Sequence, residues 1–457
     1  MPEQKKPPIE DQWRRIREEE SGSVREKLER LLQRTAAAAA SRPRRRTLRP
    51  SDEDAAWAGE ADQPDTPADT AFLPDIFAGG AAAECPFPID SYHGRIRVGA
   101  GLDLSGDTLA LISRDDSFRG IDPSRVAYFD LETTGLSPGS SNYAFMVGLG
   151  YFEGEEFRVR QHFMREFSDE IDILDNVEAF AARFDAVVTF NGRAFDLPLF
   201  EGRNVLARRR TRLSLLPHLD LLYPARQIWR ERLESCSLKS LEYDLLGVER
   251  HGDIPGAEIP NVYFRYLRTR NPYWISRVFH HNRLDIVSLM CLTVVCHDLV
   301  AGRTQAYLKD TRDALGLAFF YERREKYEES ATLFTEAIEG GVDAERKVRA
   351  IRRASLMHRR AGKRDRAMAL WREGAQEDGE AAIEFLQQMA IQLEHHEKRF
   401  ADALAVVEDA LIRIERLRDL GRDDSRLARY LTDFEKRRAR LGKKEAAAGL
   451  IEEAPVE

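Results

Sequence analysis

Short apolar runs separated by turn signals characterise the middle of the chain, between about residues 85 and 190. Their β-branched and aromatic residues predict strands, and one longer run predicts a helix. The predicted strands cover residues 95–98, 109–112, 126–131, 145–152, 157–163 and 186–190, and the predicted helix covers residues 168–184. This order, followed by further helices, predicts an α/β fold with a mixed sheet and flanking helices.

The chain beyond about residue 305 has little strand signal and a helical pattern that repeats. Small and apolar residues recur at steps of 37 and 36 residues, in the sets Ser330, Phe334, Ala337; Ala367, Trp371, Gly374; and Ala403, Val407, Ala410. These segments resemble the second helix of tetratricopeptide (TPR) repeats, whose usual period is 34 residues. We predict an all-α, TPR-like helical array that recruits a protein partner; an ordinary helical bundle is the alternative.

The two ends of the chain differ in composition from the rest. Residues 1–85 combine charge runs, an alanine tract, a basic patch and a Pro/Asp/Ala-rich stretch, which predicts a disordered tail. Within it, residues 11–34 have an amphipathic pattern, and both a transient helix and docking to a partner remain open. We place the α/β domain at residues 86–303, the helical array at 304–440 and a second disordered tail at 441–457.

Charge and cysteine content exclude several classes of protein. The chain has 70 Lys and Arg residues and 78 Asp and Glu residues, which gives a net charge of −8. This charge argues against a histone-like or ribosomal protein. The apolar stretch 286–301 is too short to span a membrane, and the charged N-terminal segment lacks a secretory signal. We therefore expect a cytoplasmic protein that does not enter a membrane. A reducing compartment also suits the four cysteines, which lack CxxC spacing: Cys85, Cys236, Cys291 and Cys296.

Acidic residues at the ends of apolar segments are the strongest chemical signal. Asp130 and Glu132 lie two apart in a strand and therefore share a face, where they can bind one hard cation. Asp196 follows the strand that ends near residue 190, although it could instead cap a helix that starts at Pro198. Asp285 begins an apolar helical run, where an inward-facing carboxylate is costly unless it meets a cation.

Three segments resemble the exonuclease motifs of the DEDD superfamily, which has a ribonuclease H-like fold. They are residues 130–136 (DLETTGL), 191–196 (NGRAFD) and 281–285 (HNRLD), and their order agrees as well. The resemblance extends over about residues 120–300. The sequence particularly resembles the bacterial YprB-type ribonuclease H-like domain proteins, in which such a domain can be joined to TPR-like helices.

This resemblance implies a metal site. Asp130, Glu132, Asp196 and Asp285 would hold two divalent cations, Mg²⁺ or Mn²⁺. Two such ions about 3.5–4 Å apart can activate a water and stabilise the leaving oxygen of an in-line phosphodiester displacement. A ligand set made only of oxygen atoms suits hard cations, whereas zinc favours histidine and cysteine.

Two adjacent histidines compete for a role in proton transfer. One branch of the superfamily places a histidine five residues before the last aspartate, which fits His280, and another places a tyrosine four residues before it, which fits His281. We favour His281, because the NGRAFD segment is more similar to the tyrosine branch. In a regular helix, residues four apart share a face, so His281 would lie beside Asp285.

Further residues match family positions that contact substrate. Thr133, Thr134 and Leu136 match positions near the terminal nucleotide, and Asn191 and Phe195 shape the second motif, although loop and core roles are equally open. A groove that follows phosphates is a further hypothesis, with a solvated helix face as its alternative. Its predicted residues are Arg208, Arg209, Arg210, Arg212 and Lys239.

The sequence therefore predicts a metal-dependent 3′ to 5′ exonuclease that acts on a single-stranded 3′ end of DNA or RNA. The main alternative is a non-catalytic scaffold that binds nucleic acid and recruits partners through the array. An unrelated phosphatase would not explain the three motifs. The change of pattern near residue 305 further predicts that about residues 85–303 fold and cleave without the array.

Overall fold

A six-stranded mixed sheet forms the centre of the α/β region in the computed structural model, which describes residues 82–135, 142–422 and 424–452. The strands found there are β1 (Ala83–Pro88), β2 (Tyr92–His93), β3 (Ile96–Arg97), β4 (Val126–Thr133), β5 (Ala144–Glu153), β6 (Glu156–Phe163), β7 (Ala186–Thr189) and β8 (His218–Asp220). The sheet order is β1-β6-β5-β4-β7-β8. Its first four strands are antiparallel, and β4, β7 and β8 are parallel. Strands β2 and β3 form a separate hairpin.

Helices cover both faces of this sheet. They are α1 (Gly106–Ser113), α2 (Glu170–Ala181), α3 (Asp196–Leu206), α4 (Leu222–Trp229), α5 (Leu238–Leu241), α6 (Ile259–Thr269) and α7 (Pro272–Val300). Alternate residues of β4 enter two cores: Tyr128 packs with α1, α4 and the C-terminal half of α7, and Phe129 packs with α2, α3 and α6. The mixed sheet with flanking helices is confirmed.

The prediction of a strand at residues 109–112 is wrong, because this segment lies in α1. Leu109, Ala110 and Ile112 are buried on one side of that helix, and a four-residue apolar run does not by itself distinguish a helix from a strand. The sequence also gave no sign of β1, which contains two prolines and lies at the sheet edge, where proline is tolerated. Residues 83–85 of β1 fall within the predicted N-terminal tail.

Two glycines of β5 allow helix α7 to pack closely on the sheet. A Cβ atom at Gly148 would overlap the side chains of Asn282 and Ile286, and one at Gly150 would overlap Ile286 and Phe157. Gly148 is also paired with Asp130 of β4. The close approach therefore places Asn282 beside Asp130.

Seven further helices form the C-terminal array, in which each helix packs on the next. They are α8 (Thr311–Glu322), α9 (Tyr327–Glu339), α10 (Ala344–Arg360), α11 (Arg364–Gly374), α12 (Glu380–Gln392), α13 (Phe400–Asp419) and α14 (Ser425–Glu452). The residues that repeat in the sequence are buried on α9, α11 and α13. The helical character of this region is confirmed, and its classification as TPR-like stays a prediction.

The array shares its core with the α/β region. Helix α8 packs on α4 so closely that a Cβ atom at Gly316 would overlap the backbone of Ile228. Asp313 of α8 is fully buried and pairs with Arg232 at 2.7 Å. The Arg324 guanidinium donates hydrogen bonds to backbone carbonyls at the end of α1. These contacts join the regions on either side of residue 303, and the boundary placed there stays a prediction.

We expect a chain of residues 82–303 to be insoluble or partly unfolded, because removal of α8 exposes the apolar face of α4. A chain of residues 82–343, which keeps α8 and α9, should fold more stably. Thermal melts of the two proteins test this expectation. Equal, cooperative melting of both would show that the α/β domain folds alone, as the sequence pattern predicts.

Helix α14 is held to the array by a buried carboxylate. Glu394 is fully buried and forms ion pairs with Arg437 at 2.6 Å, Arg440 at 2.7 Å and Lys444 at 2.9 Å. Leu441 is also fully buried. Helix α14 continues to Glu452, so residues 441–452, which the sequence assigns to a disordered tail, lie in a helix.

Glu394→Gln should destabilise the protein by about 2–3 kcal/mol at pH 7. Hydrogen bonds from Arg440 lower the pKa of Glu394 from 4.5 to about 2. A lowered pKa stabilises the fold above the unfolded value, so the difference from wild type should shrink as the pH falls from 4.5 towards 2. Urea unfolding curves of both proteins between pH 3 and 7 measure this difference in stability. The control is Asp402→Asn, which removes an exposed ion pair with Arg399. An equal, small cost for both variants would contradict the expectation.

Residues 1–81 and 453–457 lie outside the described residues, and so does the predicted helix at 11–34. Among the helices that the structure describes, none has the length and apolar character needed to cross a bilayer.

Candidate active site

Two carboxylates lie near the end of the central strand β4. Asp130 and Glu132 leave the same face of the strand, the one on which Tyr128 packs against α7. The pairing with β5 shifts register after Glu132, and this bulge ends the regular ladder. The sequence therefore places both side chains correctly on one face.

The surroundings of these two acids oppose their ionisation. Burial, followed by the charges of Asp285 and Asp196, raises the pKa of Asp130 well above its usual range. Burial, followed by the charges of Asp130, Asp285 and Asp196, raises the pKa of Glu132 in the same way. Like charges brought together in a buried site favour protonation unless a cation neutralises them.

Asp196 is the first residue of α3 and is buried. The N-cap position belongs to Phe195 and the helix already includes Asp196, so Asp196 does not cap a helix that starts at Pro198. The preceding loop is fixed by Asp220 at the end of β8, which accepts hydrogen bonds from the backbone of Asn191 at 2.8 Å and Arg193 at 3.0 Å. Burial and the charge of Asp220 raise the pKa of Asp196 to about 7.

Helix α7 contributes a hydrogen-bond donor to the first carboxylate. The Asn282 amide donates to Asp130 at 2.8 Å and accepts from the Gln161 amide at 2.9 Å. Gln161 also donates to the backbone of Phe279, so both amides are fixed. Asn282 thereby holds one oxygen of Asp130 in place.

Asp285 of α7 meets a cation that belongs to the protein itself. Arg250 lies in the loop after α5, is buried, and forms ion pairs with Asp285, Glu242 and Asp253. Burial opposes its charge, but Asp285 and Glu242 raise the pKa of Arg250 further. The costly inward-facing carboxylate predicted from the sequence is therefore compensated by Arg250.

The two histidines have different environments on the regular helix α7. His281 Nδ1 donates to Asp253 at 2.9 Å, and Nε2 lies 3.6 Å from Asp285. Burial opposes the charged form, but the hydrogen bond to Asp253 and the charge of Asp285 give His281 a raised pKa. His280 instead contacts Arg283 at 3.1 Å, and burial and Arg283 lower its pKa.

Two of the residues predicted to contact substrate make hydrogen bonds to nearby backbone atoms. The Thr133 hydroxyl donates to a backbone carbonyl two residues ahead at 2.7 Å, and the Thr134 hydroxyl accepts a backbone N–H across the loop at 2.9 Å. Asn191 is exposed with φ of 67°, a conformation that asparagine tolerates, and Phe195 is half-buried. Leu136 lies outside the described residues. Their roles towards substrate stay predictions.

The predicted phosphate groove is partly engaged in other contacts. Arg209 pairs with Asp175, and the backbone N–H of Arg212 donates to Glu178, both on α2. Four predicted members remain exposed to solvent, namely Arg208, Arg210, Arg212 and Lys239.

Sequence reasoning missed the residues that position the candidate site. Arg250 and Asp253 lie in a charged, glycine-containing segment whose composition is typical of a solvent-exposed loop. Glu242 lies in an otherwise amphipathic segment. Asp220 ends a strand of only three residues. Asn282 was within the third motif but carried no predicted role. Only Asn282, next to His281, had a position that could have signalled its contact.

The donor set suits a hard divalent cation in charge and chemistry, because all four members are carboxylates. Within the part of the chain that the structure describes, no three His, Cys, Asp or Glu side chains are arranged to hold an ion. Asp285 contacts Arg250 instead. The four acids therefore fit a cation chemically, and ligation by Asp285 requires Arg250 to release it.

Comparison with known proteins shows what the region around this site is similar to. The model of the RNase_H_2 family, described as RNase_H superfamily, matches residues 127–296. The chain is 28% identical over 310 residues to the "Uncharacterized protein YprB" of Bacillus subtilis (strain 168), covering 66% of this chain and 72% of that protein.

A solved structure, the family B DNA polymerase of Pyrobaculum calidifontis, aligns with a TM-score of 0.31 and 17% identity. The alignment covers 46% of this chain and 29% of the polymerase. RNase H-like nucleases usually use divalent metals. Residues 127–296 are thus similar to the ribonuclease H superfamily, and the chain is similar to YprB over 66% of its length.

Proposed function

We propose that the protein is a metal-dependent 3′ to 5′ exonuclease that hydrolyses DNA or RNA from a single-stranded 3′ end. The family match supports a nuclease that acts on nucleic acid. The polarity, the number of metal ions and the single-stranded substrate go beyond that match. They rest on the motifs and on the arrangement of the acids.

The observation that supports this proposal is that carboxylates from three separate segments affect one another's ionisation. Asp130 and Glu132 come from β4, Asp196 from the start of α3 and Asp285 from α7. Each of the first three has a raised pKa that includes the charge of Asp285. A purely structural site would not gain stability from this repulsion.

Two divalent cations, Mg²⁺ or Mn²⁺, would activate water and stabilise the leaving oxygen when bound there. The protein supplies the orientation of the ligands. Asn282 holds Asp130 through its hydrogen bond, and Asp220 holds the loop that leads to Asp196. Both contacts restrict the positions that these carboxylates can adopt.

His281 is the group that we propose to handle the proton. Its Nδ1–H donates to Asp253, which fixes the ring and leaves Nε2 on the side of Asp285. An imidazole held in this way can accept or orient a proton near neutral pH. Asp253 is therefore a positioning residue that acts through His281.

One observation favours the alternative of binding without cleavage. Arg250 already neutralises Asp285, so the site as it stands has a protein cation where a ligand to metal is proposed. If Arg250 never releases Asp285, the fold would bind nucleic acid as a scaffold. Nuclease measurements distinguish the two functions.

Purified protein should be incubated with single-stranded and duplex DNA and RNA, labelled at either end, with Mg²⁺, Mn²⁺ or EDTA. We expect metal-dependent loss of a 3′ label before a 5′ label, and no cleavage in EDTA. Binding to any of these substrates without cleavage in either metal would establish the scaffold function. Internal cleavage without a preferred end would contradict the proposed polarity.

A further inference from the structure

The hairpin of helices α6 and α7 has an unusual charge for this acidic protein. Residues 259–284 contain five arginines and no aspartate or glutamate, whereas the whole chain carries 78 acidic residues and a net charge of −8. A positively charged segment on an acidic protein attracts a polyanion locally, while the rest of the surface repels it.

Aromatic side chains accompany these arginines on the surface. The Arg265 guanidinium lies over the Trp274 ring at 4.1 Å, and the Tyr273 ring packs edge-on against Trp274 at 5.1 Å. Phe264 is 41% exposed, and Arg268 is exposed one turn further along α6. We name this the Trp274 surface and define it as Phe264, Arg265, Arg268, Trp274 and Arg277.

The Trp274 surface is aligned with the candidate active site along α7. Trp274 precedes His281 by seven residues and Asp285 by eleven, so all three point within about 20° of one direction in a regular helix. The rise of about 1.5 Å per residue places His281 about 10 Å and Asp285 about 17 Å along the helix axis. The surface and the acids therefore lie along one side of α7.

One loop connects the two regions. Arg277 donates to the backbone of Gly252 at 3.3 Å, and the next residue, Asp253, accepts the hydrogen bond of His281. The same loop carries Arg250, which pairs with Asp285. A ligand on the Trp274 surface would thus lie beside the loop that positions the candidate catalytic groups.

We propose that the Trp274 surface binds the bases and phosphates of a single-stranded nucleic acid whose end occupies the carboxylate site. Bases stack on aromatic rings and guanidinium planes, while phosphates pair with arginine, and both features occur together here. Duplex bases are already stacked and cannot use this surface in the same way. The inference rests on the proposed nuclease function and adds the surface that would hold the strand.

Equilibrium binding tests this proposal without cleavage. Fluorescence anisotropy of a labelled single-stranded oligothymidylate in EDTA should show tight binding to wild type. The double change Trp274→Ala and Arg265→Ala should weaken it by about tenfold, the usual effect of losing one stacked base. Trp274→Phe should retain more of the affinity, because it keeps an aromatic face.

A matched control exists on the array, where Arg426 lies over Tyr430 at 5.7 Å. The double change Tyr430→Ala and Arg426→Ala should leave the affinity unchanged. If the Trp274 double variant melts below wild type, Arg265→Ala with Arg268→Ala serves as the second variant, again with weaker binding expected.

Several results would overturn the proposal. They are no binding by wild type, equal binding by the Trp274 variants, an equal loss in the control, and displacement of the oligonucleotide by poly-glutamate as effectively as by unlabelled oligonucleotide. The last would indicate an acidic protein partner. Weaker binding by the variants without cleavage by wild type would refute the nuclease alone, and cleavage with unchanged binding would refute the surface alone.

Discussion

Asp130→Asn should lower the rate of nucleic-acid cleavage by about 100-fold or more, because a neutral amide is a poor ligand for a hard cation. The fold should remain, since asparagine has the same shape and can still accept the hydrogen bond from Asn282. Without added metal, the change should raise the melting temperature by about 2 °C or more, because it replaces a buried carboxyl whose ionisation is opposed by burial and neighbouring acids. Cleavage assays and thermal melts of the same preparation measure both effects.

Added Mn²⁺ should raise the melting temperature of wild type more than that of Asp130→Asn, because a ligand that binds the native state stabilises it. Asp115→Asn is a matched control, since this aspartate caps a short turn outside the three motifs. It should keep the wild-type rate. Activity of Asp130→Asn within a few-fold of wild type would refute the assignment of this carboxylate.

His281→Ala should lower turnover by about 100-fold or more, within the range known for the loss of general acid–base catalysis. The reason is its position: Nε2 lies 3.6 Å from Asp285, and Asp253 fixes the opposite nitrogen. His280→Ala should have a mild effect, because His280 contacts Arg283. Steady-state cleavage by both variants between pH 6 and 9 compares them.

Mn²⁺ affinity separates a catalytic loss from a structural one. His281→Ala should retain most of the wild-type affinity for Mn²⁺, since the four carboxylates remain. Should His280→Ala prove inactive while His281→Ala keeps turnover, His280 would be the proton-handling residue and the assignment to His281 would be wrong.

Local sequence patterns were sufficient to predict much of the α/β fold. The apolar runs that became β4, β5, β6 and β7 have periodicity, β-branched residues and turn signals that agree with one another. Strands β1 and β8 lacked such agreement, because β1 contains two prolines and β8 has three residues. The shared core between α4 and α8 was not predictable, since it depends on packing between segments about 90 residues apart.

The candidate site was predictable where residue spacing fixes direction. Residues two apart in a strand share a face, which predicted that Asp130 lies beside Glu132. Residues four apart in a helix share a face, which predicted that His281 lies beside Asp285. Arg250 and Asp253 could not be found in this way, because an irregular loop carries them to α7. The motifs thus indicated the four acids and His281. Only the fold showed that Arg250 contacts Asp285 and that Asp253 contacts His281.

The most direct test of the central claim is a time course of a 5′-labelled single-stranded oligonucleotide with Mn²⁺, resolved to single nucleotides. Wild type should produce a ladder that shortens one nucleotide at a time from the 3′ end, and Asp130→Asn prepared in parallel should leave the substrate intact. An unchanged substrate with wild type, or the same ladder with the variant, would contradict the account.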